Sequence, residues 1–248
     1  MVVALLSLAS ATQLRSRAST RRQLGFLCDA FGWYCEDTTS QQCPPVSPLN
    51  ATEFNLTNYI EKSWFIQKQQ VNPYQSENQL YCTSATYNQS PDGYLAVDNY
   101  SNNDKVNGPI QSSNDNGLFS NLCGKQVNGG ELSVAPCSFQ PIWDQASGPY
   151  WVLAVADDYS WAIVSGGKPD QPFPSETDPT KTLCTTKEGS SFLDTNGSGL
   201  WLFSRAQVAD AATLETMEQK LLDMGVYTGN LKPVTQEGCK YEGANLKL

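Results

Sequence analysis

The chain reads as an all-β protein of antiparallel strands followed by one C-terminal helix. Three observations carry that reading. From Tyr59 onward, short runs of apolar and β-branched residues alternate with Asn, Pro and Gly turns. Two tight-turn signals, Asn128-Gly129-Gly130 and Asp157-Asp158, each sit between such runs, as hairpins require. Helical spacing is convincing only over Ala209–Met224, where Leu214, Met217 and Leu221 recur, Asp210 can cap the start and Gly225 can end it.

Taken in order, the predicted strands are Trp64–Gln70, Gln79–Tyr87, Tyr94–Ser101, Leu118–Val127, Glu131–Phe139, Tyr150–Ala156, Tyr159–Ser165 and Gly199–Arg205. Two stretches break the rhythm. Asn102–Gly117 is polar, and Gly166–Gly199 is rich in Pro, Gly, Ser and Thr; both read as long loops. In the last strand, alternation places Trp201, Phe203 and Arg205 on one face. No fixed-period repeat and no second periodic core is visible, so residues 51–248 read as one domain.

Composition narrows the chemistry. The 248 residues contain no histidine, which excludes Ser-His-Asp and Cys-His catalysis and any metal site built on imidazole. Four of the five arginines, Arg15, Arg17, Arg21 and Arg22, precede the first acid at Asp29. From there on, 25 acids face 12 basic residues, a net charge of −13 that disfavours nucleic acid as a partner. The most apolar stretch, Val2–Leu8, is far short of the roughly 20 residues of a membrane-spanning helix.

The first 27 residues read as an address. Val2–Ala11 ends in the signal-like Ala9-Ser10-Ala11, and Thr12–Phe26 is basic and free of acids, as transit segments are. The pair resembles the two-part presequences of proteins imported into complex algal plastids, so the expected destinations are the secretory pathway, then the exterior or a plastid, its thylakoid lumen included. Residues 28–50 read as an irregular arm dense in Cys and Pro. Eight cysteines, an even count with no Cys-x-x-Cys pair, point to disulfides rather than zinc. Cys123 and Cys137 stand at similar distances from the Asn128-Gly129-Gly130 turn and could face each other. Glycosylation triplets begin at Asn50, Asn55, Asn88, Asn99 and Asn196, the one at Asn88 being weakened by Pro91.

Three blocks together resemble the lipocalin family, particularly its apolipoprotein D-like and plant or bacterial branch. They are Tyr59-Ile60-Glu61-Lys62-Ser63-Trp64-Phe65, then Tyr150–Leu153 with Asp157–Val164, then Leu200-Trp201-Leu202-Phe203-Ser204-Arg205 directly before the helix. The resemblance spans roughly Cys43–Cys239. It implies an eight-stranded antiparallel up-and-down β-barrel with one C-terminal α-helix packed outside, and disulfides Cys43–Cys184 and Cys82–Cys239. Cys123–Cys137 and Cys28–Cys35 then remain to pair. It further implies that Arg205 packs across the indole of Trp64 to close the barrel, a role suited to a flat, delocalised cation. Lys62 departs from the family, which has glycine before Ser63-Trp64.

The implied function is binding and carriage or sequestration of a small hydrophobic ligand, such as a lipid, fatty acid, carotenoid or other pigment. Tyr87, Asn99 and Trp201 would line the cavity, and no cofactor or metal is called for. Two other readings stay open. Xanthophyll de-epoxidases use lipocalin-type barrels, and Glu61–Ile66 is similar to their first strand, with Asp157-Asp158 as available acids. Alternatively, the barrel is a non-catalytic subunit docking to a photosynthetic assembly through loops 102–117 and 166–199.

Overall fold

The computed structural model describes residues 42–112, 121–174, 182–187 and 197–248. Cys28, Cys35 and the presequence lie outside them, as do parts of the two long loops. Among the described residues the strands are β1 (Trp64–Gln70), β2 (Tyr81–Gln89), β3 (Leu95–Asn102), β4 (Ile110–Ser112), β5 (Leu122–Asn128), β6 (Glu131–Pro136), β7 (Gly148–Val155), β8 (Trp161–Ser165), β9 (Gln171–Pro174), β10 (Thr182–Thr185), β11 (Leu200–Ser204) and β12 (Leu231–Pro233). The α-helices are α1 (Leu56–Ile60), α2 (Trp143–Ala146) and α3 (Ala211–Asp223).

Eight of these strands close on themselves. The pairing runs β1-β2-β3-β5-β6-β7-β8-β11, and β11 returns to β1 from Phe65 opposite Ser204 to Gln69 opposite Trp201. All eight neighbours are antiparallel, so the chain forms an up-and-down barrel. Alternation separates its faces. Ala162, Val164 and Phe203 belong to the interior cluster with Trp64, Ile66, Ala85, Tyr87, Leu95 and Val97. Ile163, Leu200 and Leu202 point outward onto α3.

Helix α3 starts and stops where its sequence directs. The Asp210 side chain accepts from Thr213 N at 2.8 Å, and Gly225 at φ +76° lets Val226 N reach Leu221 O at 2.8 Å. Met217 and Leu221, both fully buried against the barrel wall, contribute about 1.5–3 kcal/mol each.

Among the described residues three disulfides tie this frame: Cys43–Cys184, Cys82–Cys239 and Cys123–Cys137. The first holds the N-terminal arm to β10 and the third spans the β5–β6 hairpin. The second anchors the C-terminal tail, whose Tyr241 ring packs 5.1 Å from Phe65. Gln236 is buried and donates to Ile66 O at 2.6 Å and Thr83 O at 2.7 Å, filling the place where β1 and β2 diverge.

The two long loops need correction. Within 102–117, β4 pairs with β3, and within 166–199, β9 and β10 form a separate ribbon. Polar composition hid both, because strands this short are set by their partners rather than by alternation. The run read as Glu131–Phe139 stops at Pro136, which has no N–H for the ladder, and continues as a 3₁₀ helix over Cys137–Ile142.

Candidate ligand-binding site

The barrel has two unlike ends. The β2–β3, β5–β6 and β7–β8 turns and the end of β11 gather at one of them, where β1 begins. There Leu49 stitches two hairpins together, donating to Val152 O at 2.9 Å and accepting from Gly130 N at 2.7 Å. Helix α1 belongs to this end and buries Tyr59 and Ile60 in the interior cluster. Its first turn is capped by the Asn55 side chain, which accepts from Asn58 N at 3.2 Å. The connections holding 102–117 and 166–199 join strands at the opposite end.

Arg205 stoppers the closed end. Its guanidinium carbon lies 3.4 Å from the centroid of the fully buried Trp64 ring. It donates to five carbonyls: Asn58 at 3.0 Å, Tyr59 at 2.8 Å, Ser63 at 3.2 Å, Tyr159 at 3.3 Å and Lys62. Several belong to the last turn of α1 or just follow it, where carbonyls lack helical partners and favour a cation. Burial lowers the Arg205 pKa to about 10, which leaves it charged at neutral pH. Lys62 does not adopt the left-handed backbone that would call for glycine. Its carbonyl, not its side chain, faces the stopper.

Above this floor three tyrosines meet. Tyr150 Oη lies 2.6 Å from Tyr59 Oη and 2.7 Å from Tyr87 Oη. The Tyr59 ring stands 5.3 Å from Trp64 and 5.7 Å from Tyr87. Burial raises all three phenol pKa values, pushing Tyr87 up to about 12 and the other two well above the usual range. They are therefore neutral hydroxyls at physiological pH.

The remaining inner wall is mainly apolar, with Ile66, Ala85, Leu95, Val97, Leu132 and Val164. Asn99 follows Val97 by two residues on the same face, directly opposite Ala85. Trp201, opposite Gln69, lies with its ring over Gly199, where φ is +103° and a Cβ would come 2.1 Å from the indole. Gln69 is fully buried, donates to Gln75 Oε1 at 3.0 Å, and leaves its own Oε1 without a partner among the described residues. Tyr150, Asn99 and Trp201 are only partly buried although they point inward.

The structure thus sets Tyr87, Asn99 and Trp201 on the inner face, and puts Tyr87 in direct hydroxyl contact with Tyr150. Tyr59 and Tyr150 were not singled out from sequence as cavity residues. Tyr59 is the first residue of the first family-like block and Tyr150 the first of the second, which is the signal that could have found them. Asp157 and Asp158 are exposed at the β7–β8 turn. Asp158 accepts from the Ser160 side chain and from Ser160 N, the latter at 2.9 Å, and that bonding lowers its pKa, opposite to what a general acid needs.

Floor and wall define a class: an eight-stranded antiparallel barrel sealed at one end by an arginine stacked on a tryptophan. A family model described as a lipocalin-like domain matches residues 70–173. Lobster apocrustacyanin A1 aligns over 82% of this chain and 95% of its own at 12% identity, TM-score 0.51. Apocrustacyanin C1 gives 81% and 94% at 12% identity, and apocrustacyanin C2 gives 83% and 97% at 13%, both with TM-score 0.51. No curated protein matches the sequence. The chain is similar to the lipocalin family over residues 70–173, and its barrel has the lipocalin fold.

Proposed function

We propose that the barrel binds one small hydrophobic molecule in its interior and carries or sequesters it. The observation that carries this reading is the inner face itself. Tyr150, Asn99 and Trp201 point inward yet keep accessible surface, above a sealed floor and among apolar neighbours. Apolar cavities with a few placed polar groups are how proteins hold such ligands. Lipids, fatty acids, carotenoids and other pigments all belong to the class. The loops 102–117 and 166–199 join strands around the mouth, where they would control entry or meet a protein partner. The three disulfides support an oxidising compartment, outside the cell or in a plastid lumen.

Trp201 supplies the test. Titration with fatty acids, retinoids and carotenoids should quench tryptophan emission and saturate at one ligand per chain. Trp201→Phe should lose most of that signal. Absence of quenching by all three classes would overturn the carrier reading, and mass spectrometry of the natively purified protein would identify the occupant.

A further inference from the structure

One polar atom on the inner wall has no partner in the fold. Gln69 is fully buried, and its Oε1 accepts no hydrogen bond among the described residues. The side chain belongs to the inner face, because Gln69 stands directly opposite Trp201, which packs against the interior cluster. Which end of the amide is left over is fixed by its neighbours. The Gln79 carbonyl can only accept, and it lies 3.4 Å from the Gln75 amide, so Gln75 Nε2 faces it. Thr83 Oγ1 donates its one proton to the same carbonyl at 3.3 Å and accepts from Gln75 Nε2 at 3.4 Å. Gln75 therefore presents Oε1 to Gln69, whose Nε2 donates to it at 3.0 Å. Reversing Gln69 would set two oxygens against each other. What remains is a buried acceptor without a donor, which is costly.

The missing partner must be a donor. A carbonyl or ether oxygen has no proton to offer, and neither has a hydrocarbon. An ammonium can donate, but it would lose its hydration among apolar neighbours. A hydroxyl supplies one proton at a far smaller desolvation cost. Its place in the ligand follows from the strand. Gln69 stands five residues beyond Trp64 on β1, about 16 Å along the chain, toward the end opposite the arginine floor. The wall between them is apolar, with Ile66, Ala85, Val97 and Val164. Resting on the carrier reading above, we infer that Gln69 is a specificity-determining residue, selecting hydrophobic ligands that carry a hydroxyl at the end away from the floor. Contact with the buried amide requires a neighbour to move. The partly buried Trp201 ring, directly opposite, is the one whose displacement tryptophan emission reads.

The test uses two isomers, 1-decanol and 1-methoxynonane, which hold one oxygen each while only the alcohol can donate. Both are titrated against the full chain and against a Gln69→Met variant, by calorimetry or tryptophan emission. Methionine has a similar length and removes the orphaned oxygen, and water can replace the lost bond at the partly buried Gln75, so the variant is expected to fold. The wild type should bind the alcohol more tightly than the ether, and that affinity ratio should fall about tenfold in the variant. An unchanged ratio overturns the inference while leaving the carrier reading intact. Binding of neither isomer to the wild type also overturns it, and the carrier reading is then decided by the titration with fatty acids, retinoids and carotenoids. Should the variant not fold, the wild type alone decides. A preference for the alcohol supports the inference, and equal or tighter binding of the ether refutes it.

Discussion

Replacing Arg205 by lysine keeps the charge and removes the shape, so it isolates what the guanidinium contributes. In the native floor five carbonyls accept from Arg205, and its plane lies 3.4 Å from the Trp64 centroid. An ammonium has three N–H groups on one nitrogen and no flat face. At least two carbonyls then lose their donor. Those of Asn58 and Lys62 accept at exposed positions, where water replaces the bond at little cost. Those of Tyr59, Ser63 and Tyr159 are partly buried, and a single ammonium nitrogen cannot match the spread of all three. Losing one of them costs about 1–2 kcal/mol, and losing the stack about 1 kcal/mol more. The expected loss is about 2–3 kcal/mol, or roughly 4–12 °C in Tm for a domain near 200 residues. Thermal unfolding followed by near-ultraviolet circular dichroism, with disulfides oxidised, measures it. A double-mutant cycle with Trp64→Phe should show a coupling of about 1 kcal/mol. A Tm shift below about 2 °C, or no coupling, would refute the account of the floor.

Alkali tests the tyrosine chain. Unfolded phenols ionise near pH 10, while burial raises Tyr59, Tyr150 and Tyr87, the last to about 12. Their contribution is complete below about pH 10 and declines as pH climbs toward 12, by up to about 1.4 kcal/mol per unit per tyrosine. Tyrosinate absorbance from these residues should appear together with loss of tertiary structure; full ionisation with the fold intact would contradict it. Serine at both Cys82 and Cys239 releases a loop of 157 residues and should cost up to about 5 kcal/mol in urea unfolding, whereas Cys123 and Cys137, 14 apart, should cost about 3. Gly199→Ala forces the Trp201 ring from its place, since the new methyl would stand 2.1 Å from it. A changed tryptophan emission maximum and weaker ligand quenching are expected, and an unaltered spectrum would show that the ring was not held there.

What sequence could convey here depended on the range of the interaction. Strand β1 was bounded correctly at Trp64 and Gln70, and α3 nearly so, because alternation and capping are local. The shared face of Trp201, Phe203 and Arg205 was legible for the same reason. Helix α1 was not, because five residues are too few to be helical on propensity alone. Its carbonyls are satisfied by Arg205, which lies 147 residues from Asn58. The tyrosine chain was equally hidden: Tyr59 and Tyr150 stand 91 residues apart, and each looks locally like an ordinary aromatic. Lys62 sharpens the point. It stands where the family has glycine, yet the backbone there is not left-handed, and the floor uses only the carbonyl that any residue supplies. The guanidinium at position 205, unlike the side chain at position 62, therefore has no substitute in the floor. Among the described residues it joins α1, the start of β1 and the β7–β8 turn through one planar group, which requires β11 to have closed against β1 before the stopper can be complete.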